Sequence, residues 1–391
     1  MTGVSGNTKK ISAYISIVKQ AISSTVCQAQ KDVTHCSRIL KTAREQDREV
    51  MVFGTGADHN LVTHAHVDWL KKAGLRVLDV GIPTFTAFGN DYPHKTELSE
   101  LLKHRRYKDK DVLMGLQFEG QNPLLEEAFS YNSSQNGTNI LITNQDVREA
   151  NVHCLIQIDA VDASAARDAS QVVLHFLGVH QAFDINPHFE DKAAGSFSHY
   201  CDLFLRSVEQ QGFSLDLLAE ITGIIYKKLS SGNSLYAFGN GGSAAFSAYL
   251  ANGLRRAFLD DPAIYRNIFD LTSFPEPLLD SITAGRYKER VFADILGNLG
   301  ARKGDVLFGI SSSGNSGNIA YPFTVLQNSF RIGLLGFGDG GIIGRNKMCD
   351  RAFIIPDEGG FRSYPRAEDG QRLAISAILS ALKPEGEFSG Q

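Results

Sequence analysis

Apolar residues come in short unbroken blocks along this chain, separated by glycine- or serine-rich turns and by stretches with helical spacing. In the second half, Ser234 to Phe238 (SLYAF) is one such block, and it runs straight into Gly239-Asn240-Gly241-Gly242-Ser243. A helical pattern follows to about Phe258. Asp305 to Ile310 (DVLFGI) is the next block, ending in Ser311-Ser312-Ser313-Gly314-Asn315-Ser316 and a further helix. Arg331 to Phe337 and Ala352 to Pro356 supply a third and a fourth. Runs without alternation are what strands buried on both faces require, so strand, small-residue loop and helix in repetition predict a parallel sheet covered on both sides.

The first half repeats the plan. Glu49 to Phe53 (EVMVF) leads into Gly54-Thr55-Gly56-Ala57-Asp58 and a helix through Lys72. Asp111 to Leu116 matches Asp305 to Ile310, and Gln117 to Asn122 takes the place of the serine loop. Thr138 to Thr143 and Cys154 to Ile158 fill the remaining strand slots. The landmarks fall in the same order in both halves, so an internal duplication is the economical reading. Helical segments precede each half, roughly Lys9 to Arg44 and Ser198 to Leu229. These patterns predict a first domain at residues 1–183, a polar, Gly- and Pro-containing linker at 184–196, and a second domain at 197–391.

Composition narrows the function. The chain has 391 residues, enough for two ordinary domains, with 43% hydrophobic and 21% charged residues. Its net charge is −4 and it has no long basic run, which argues against nucleic acid as a partner. No stretch reaches the ~20 apolar residues that would span a membrane. The five cysteines are scattered without a CxxC pair, which fits reduced thiols in the cytoplasm better than a disulfide framework or a zinc finger.

The loops carry the chemistry. A strand that ends in closely spaced hydroxyls and then opens a helix aims hydroxyls, backbone N–H groups and the helix N-terminus at one point, the makings of an anion site. Ser311, Ser312, Ser313, Asn315 and Ser316 form one such loop; Asn240, Gly241 and Ser243 form another at the end of the preceding strand. Together they predict a phosphate-binding crevice.

The runs FGNGGSAAFSAYLANGL, GDVLFGISSSGNSGNI and LLGFGDGG, in that order, resemble the phosphoheptose isomerase branch of the SIS (sugar isomerase) proteins. The resemblance implies a flavodoxin-like, doubly wound α/β domain, here two in tandem, with a sugar phosphate as ligand and pairing of chains into a homo-oligomer, a dimer of tandem chains. Family members carry a His and a Glu on the helix after GNGGS and a His on the last helix. The second half has Tyr249, Gly253 and the neighbourhood of Ala377 in those places. The first half shows the reverse: His64 and Asp68 fall on the helix positions, His175 on the last-helix position, and Phe88-Gly89-Asn90-Asp91 resembles the family's GND turn, which makes Asp91 a substrate-contact candidate. Residues at i and i+4 share a helix face, so His64 and Asp68 can address one atom. In the first half Gln117, Glu119 and Asn122 replace Ser311, Ser313 and Ser316, and a carboxylate there repels phosphate. Trp69 and the Phe85–Phe88 stretch read as packing.

The resulting expectation is an aldose–ketose isomerase of a sugar phosphate, sedoheptulose 7-phosphate by resemblance, with a composite site shared between the two domains. Asp68 would be the base and His175 the acid; alternatively His64, Asp68 and His175 would hold a divalent metal such as Zn²⁺. A non-catalytic sugar-phosphate sensor, a structural partner of an isomerase, and lyase or epimerase chemistry remain open on the sequence.

Overall fold

The computed structural model describes residues 4–78, 80–107, 110–147, 151–186, 195–356 and 363–382. They form two compact units: a first unit of residues 18–201, and a second unit of residues 1–17 with 202–391. Helix α1 (Val4–Glu45) contributes its opening turns, through Ile17, to the second unit, where Thr8 Oγ1 donates to Asp216 Oδ1 at 3.2 Å. The sequence reading assigned those turns to the first domain. An amphipathic helix reads alike whichever core its apolar face joins, so no residue marks the change. Of the expected linker, residues 184 and 185 are still helical, and residues 187–194 lie outside the described residues.

The first unit has strands β1 (Glu49–Phe53), β2 (Arg76–Leu78), β3 (Val112–Gln117), β4 (Thr138–Thr143) and β5 (Cys154–Gln157). Its further helices are α2 (His59–Lys72), α3 (Ile82–Asp91), α4 (Glu97–His104), α5 (Pro123–Ser134) and α6 (Ala163–Ile185). Helix α7 (Phe197–Glu209) begins in this unit and leads into the second. There follow α8 (Leu215–Ser230), β6 (Leu235–Gly239), α9 (Gly242–Ala257), α10 (Pro262–Tyr265), β7 (Ile268–Asp270), α11 (Pro275–Thr283) and α12 (Tyr287–Asn298). The chain closes with β8 (Val306–Ser311), α13 (Gly317–Val325), β9 (Phe330–Leu335), α14 (Gly341–Arg345), β10 (Arg351–Ile354) and α15 (Tyr364–Leu382).

Both sheets are wholly parallel, in the orders β2-β1-β3-β4-β5 and β7-β6-β8-β9-β10, so the duplication extends to topology. The central strands are apolar throughout because both faces are covered: β3 and β8 are buried at every position. Phe53, Leu113, Leu125 and Phe129 anchor one core of the first unit, and Phe238, Phe292, Leu307 and Phe323 one of the second. The edge strands β2 and β7 were not anticipated; at three residues each they are too short to show a period. Residues 88–91, expected as a turn, are the last turn of α3, which Pro83 opens at a favoured helix-start position. In each sheet the order reverses between the first and third strands of the unit, β1 and β3 or β6 and β8. The crevice for a ligand in such folds lies outside the carboxyl ends of that pair.

Candidate functional site

In the first unit α2 and α6 pack side by side, and glycine sets how closely. A Cβ on Gly178 would lie 2.8 Å from Trp69 Cδ1, so only a residue without a side chain lets the buried indole cross α6 there. Trp69 Nε1 then donates to Leu174 O at 3.1 Å. Trp69 thus acts in packing, as expected, and fixes α2 against the residue that precedes His175. Phe85 and Phe88 likewise pack against the core.

That contact brings the three sequence-predicted residues together. His64 Nε2 and His175 Nε2 are 2.7 Å apart, with the rings edge to face. Asp68 Oδ2 lies 3.9 Å from the first and 3.7 Å from the second. All three side chains are buried, at 0%, 3% and 8% exposure for His64, His175 and Asp68. Burial by itself pushes the Asp68 carboxyl up; the positive fields of His64, Lys72 and His175, with the Lys72 hydrogen bond, outweigh it and hold the group below its ordinary value. Asp68 is therefore a carboxylate at neutral pH. Lys72 Nζ donates to its other oxygen, Oδ1, at 3.1 Å.

Two residues here escaped the sequence reading. Lys72 continues the i, i+4 ladder from His64 through Asp68, a spacing that was available as a signal. Gln171 Nε2 lies 3.1 Å from His175 Nε2, one turn back along α6, while its Oε1 is buried with no hydrogen-bond partner among the described residues. Turning the amide over exchanges the two atoms and brings a carbonyl oxygen to the imidazoles. Two imidazole nitrogens and a carboxylate oxygen, with the amide oxygen in that turned orientation, form a donor set suited to a divalent cation such as zinc.

In the second unit the equivalent positions are closed to such chemistry. A Cβ on Gly253 would lie 2.3 Å from Leu379 Cδ1, so a leucine of α15 fills the space a carboxylate would need. Tyr249 hydrogen-bonds Ser376 Oγ at 3.0 Å, and the Arg372 guanidinium lies 4.5 Å from its ring centroid. Ala377 is part of the buried core.

The second unit instead carries the two small-residue loops read in the sequence. Strands β6 and β8 pair from Leu235↔Val306 to Gly239↔Ile310, so the loops leaving their carboxyl ends are neighbours and α9 and α13 open beside each other. At Gly239 a Cβ would strike Ser243 O at 2.5 Å; at Gly314, φ 62°, it would strike Gly340 O at 1.8 Å. These glycines let backbone lie on backbone. Gly241, φ 54°, is the N-cap of α9, and Ser316 that of α13. Ser311 Oγ accepts from Gly314 N at 3.1 Å, and Ser313 Oγ accepts from Asn315 N at 3.3 Å, so in these contacts both hydroxyls act as acceptors. Ser243 is buried at the start of α9. Ser312 faces away, donating to Gln371 Oε1 on α15 at 3.1 Å, and Asn315 Oδ1 accepts from Ile342 N at 2.9 Å. Those two brace the loop. Asn240 exchanges hydrogen bonds with Asn318 at 2.9 and 3.1 Å and accepts from Tyr287 OH at 2.9 Å, bracing the other. Asp91 belongs to the first unit, at the exposed end of α3, where it accepts from Asn90 Nδ2 at 3.1 Å.

Two parallel-sheet units of one topology, one carrying a buried His–His–Asp cluster and the other a serine loop at the crevice, define a tandem sugar-isomerase architecture. The SIS domain family model matches residues 197–321, and the chain belongs to the SIS-domain phosphosugar isomerase family. Among its relatives, the phosphoheptose isomerase of Trichlorobacter lovleyi is 33% identical over 177 residues, 44% of this chain and 83% of that protein. The phosphoheptose isomerase 2 of Campylobacter jejuni is 33% identical over 167 residues, 42% of this chain and 77% of that one. The tandem fold is matched by the C-terminal domain of glucosamine-fructose-6-phosphate aminotransferase from Francisella tularensis, with a TM-score of 0.59 at 13% identity, over 97% of this chain and 98% of that one. No helix among the described residues is long and apolar enough to cross a membrane.

Proposed function

We propose that the chain is an aldose–ketose isomerase acting on a sugar phosphate of the phosphoheptose class, sedoheptulose 7-phosphate first among candidates. The observation that carries this reading is the buried cluster of His64, Asp68 and His175, which keeps a carboxylate ionised between two imidazoles in a chain that also carries a phosphate-type loop. Aldose–ketose exchange moves one proton between adjacent carbons. Asp68 takes the proton from the carbon next to the carbonyl, and His175 delivers one to the carbonyl oxygen, giving the ene-diol; reversal at the neighbouring carbon completes the exchange. Lys72 and Gln171 position the two groups. Ser311, Ser313 and Ser316, with Ser243 and the N-termini of α9 and α13, hold the phosphate.

The same residues suit a metal. A zinc ion held by His64, Asp68 and His175, with the Gln171 amide oxygen, would polarise the carbonyl. In this reading the working protein is a dimer of chains, its five free cysteines reduced in the cytoplasm.

The test is to incubate the protein with sedoheptulose 7-phosphate, with and without zinc, and follow aldose formation. Asp68→Asn should remove turnover while leaving sugar-phosphate affinity nearly unchanged, because the amide keeps the size of the carboxylate but cannot take the proton. Tight binding without conversion across a panel of ketose phosphates would replace the isomerase with a sensor. Turnover that survives Asp68→Asn would remove Asp68 as the base.

A further inference from the structure

The last turns of α9, the short helix α10 and the start of β7 border a groove on the second unit that the proposed reaction does not use. Its volume is about 490 Å³, and Arg255, Arg256 and Arg266 stand in its lining. It lies away from the serine loop. Helix α9 opens at the loop after β6 and runs 16 residues, about 24 Å, to this end.

Three like charges around one space repel one another, and in a chain of net charge −4 the grouping runs against the overall balance. Arg290, Arg331, Arg345 and Arg351 of the same unit each face a carboxylate. The guanidinium groups of Arg256 and Arg266 have no carboxylate and no hydrogen bond among the described residues. Both side chains are exposed, so each is free to turn into the groove. Arg255 is held in place. Its Nη1 donates to Asn252 Oδ1 at 3.3 Å and its Nη2 to Ile268 O at 2.6 Å, and both of those residues line the groove as well. Asp260 and Asp261, next along the chain, are not in the lining. The Asp261 carboxylate accepts from Ala263 N and Ile264 N at the start of α10.

The same lining carries apolar surface. Leu259 and Tyr265 belong to it and are 65% and 41% exposed, high values for large side chains of this kind. A positive groove with an open aromatic ring suits an anion that also carries a flat apolar group. Guanidinium groups bind phosphate oxygens two at a time, and bases stack on aromatic rings. A sugar monophosphate brings two negative charges to three cations and no planar ring. A nucleotide with two or three phosphates matches both features, and the volume lies in the range of small-ligand sites. We propose that this groove binds a nucleoside polyphosphate, with its phosphates against Arg255, Arg256 and Arg266 and its base on Tyr265 beside Leu259.

The experiment is calorimetry of the full chain without magnesium, using ATP, tripolyphosphate and adenosine as matched probes. ATP should bind, tripolyphosphate should bind about tenfold more weakly for want of the stacked base, and adenosine should give no measurable heat. Arg256→Gln and Arg266→Gln should each lower ATP affinity about tenfold, the usual loss of one hydrogen bond to a charged group. Tyr265→Ala should bring ATP down to the level of tripolyphosphate and leave tripolyphosphate unchanged. All three side chains are exposed, so the variants should fold as the parent does. Ser313→Ala should leave ATP affinity unchanged, which separates the groove from the serine loop. No binding of ATP, equal affinity for ATP and tripolyphosphate, or parental affinity in both arginine variants would overturn the proposal. So would an ATP affinity that falls with Ser313→Ala.

Discussion

Gly178→Ala is the change that most directly tests how the first unit assembles its cluster. The added methyl would sit 2.8 Å from Trp69 Cδ1 and 2.9 Å from Nε1, well inside contact distance, with the indole buried and unable to swing to solvent. Overpacking of this kind costs about 1–3 kcal/mol. Loss of the 3.1 Å bond from Trp69 Nε1 to Leu174 O adds about 1 kcal/mol. Alanine in place of a helical glycine returns about 1 kcal/mol through propensity. The net loss of stability is therefore modest, about 1–3 kcal/mol, and the protein should fold. The site suffers more than the stability does. Trp69 follows Asp68 directly, so a shift of the α2 backbone that relieves the indole also moves the carboxylate. A displacement near 1 Å should lower kcat/KM by about a hundredfold. The chain contains one tryptophan, so its emission spectrum reports on Trp69 alone. Three measurements decide the matter: urea unfolding, tryptophan emission and turnover. Trp69→Phe in the alanine background should recover part of the activity, a non-additive pair as expected of residues in contact. An alanine variant with parental emission and parental turnover would refute the reasoning.

Other outcomes follow from the second unit. Ser313→Ala should weaken sugar-phosphate binding about tenfold or more, the usual cost of one hydrogen bond to a charged group, and the triple change of Ser311, Ser313 and Ser316 to alanine should abolish it; calorimetry reads both. Arg331 hydrogen-bonds Asp350 and holds its carboxyl below the ordinary value. The stabilisation is thus present above about pH 4 and is lost as the pH falls through the lowered folded value, so Asp350→Asn should be the weaker protein at neutral pH and the gap should close in acid. A gap in urea midpoints that stays constant with pH would dismiss that pair as the cause. Light scattering should give the mass of two chains, and a monomer would remove the pairing.

The sheet was legible because its central strands are buried on both faces and read as unbroken apolar runs, each closed by a small-residue loop. His64 and Asp68 were legible from their spacing and their family positions, and His175 from its family position alone. What escaped had physical reasons. Gln171 joins the cluster through the packing of α6 on α2, which no local pattern encodes. In the serine loop the residue types could be read but not their directions: Ser312 and Asn315 brace the loop, and that depends on α14 and α15, which follow later in the chain. Strands β2 and β7 are too short to announce themselves. The start of α1 belongs with a core that begins nearly two hundred residues further on.

The contact between Gly253 and Leu379 bears on how readily the chain can change. With a leucine seated over that glycine, placing an acid there is a two-step change whose first step is penalised. A glutamate alone meets the leucine; a smaller residue at 379 alone opens a void in the core. Packing of this kind works as a ratchet: two positions must change together before the space reopens. Building an acid into α9 at this point would have to release both residues at once.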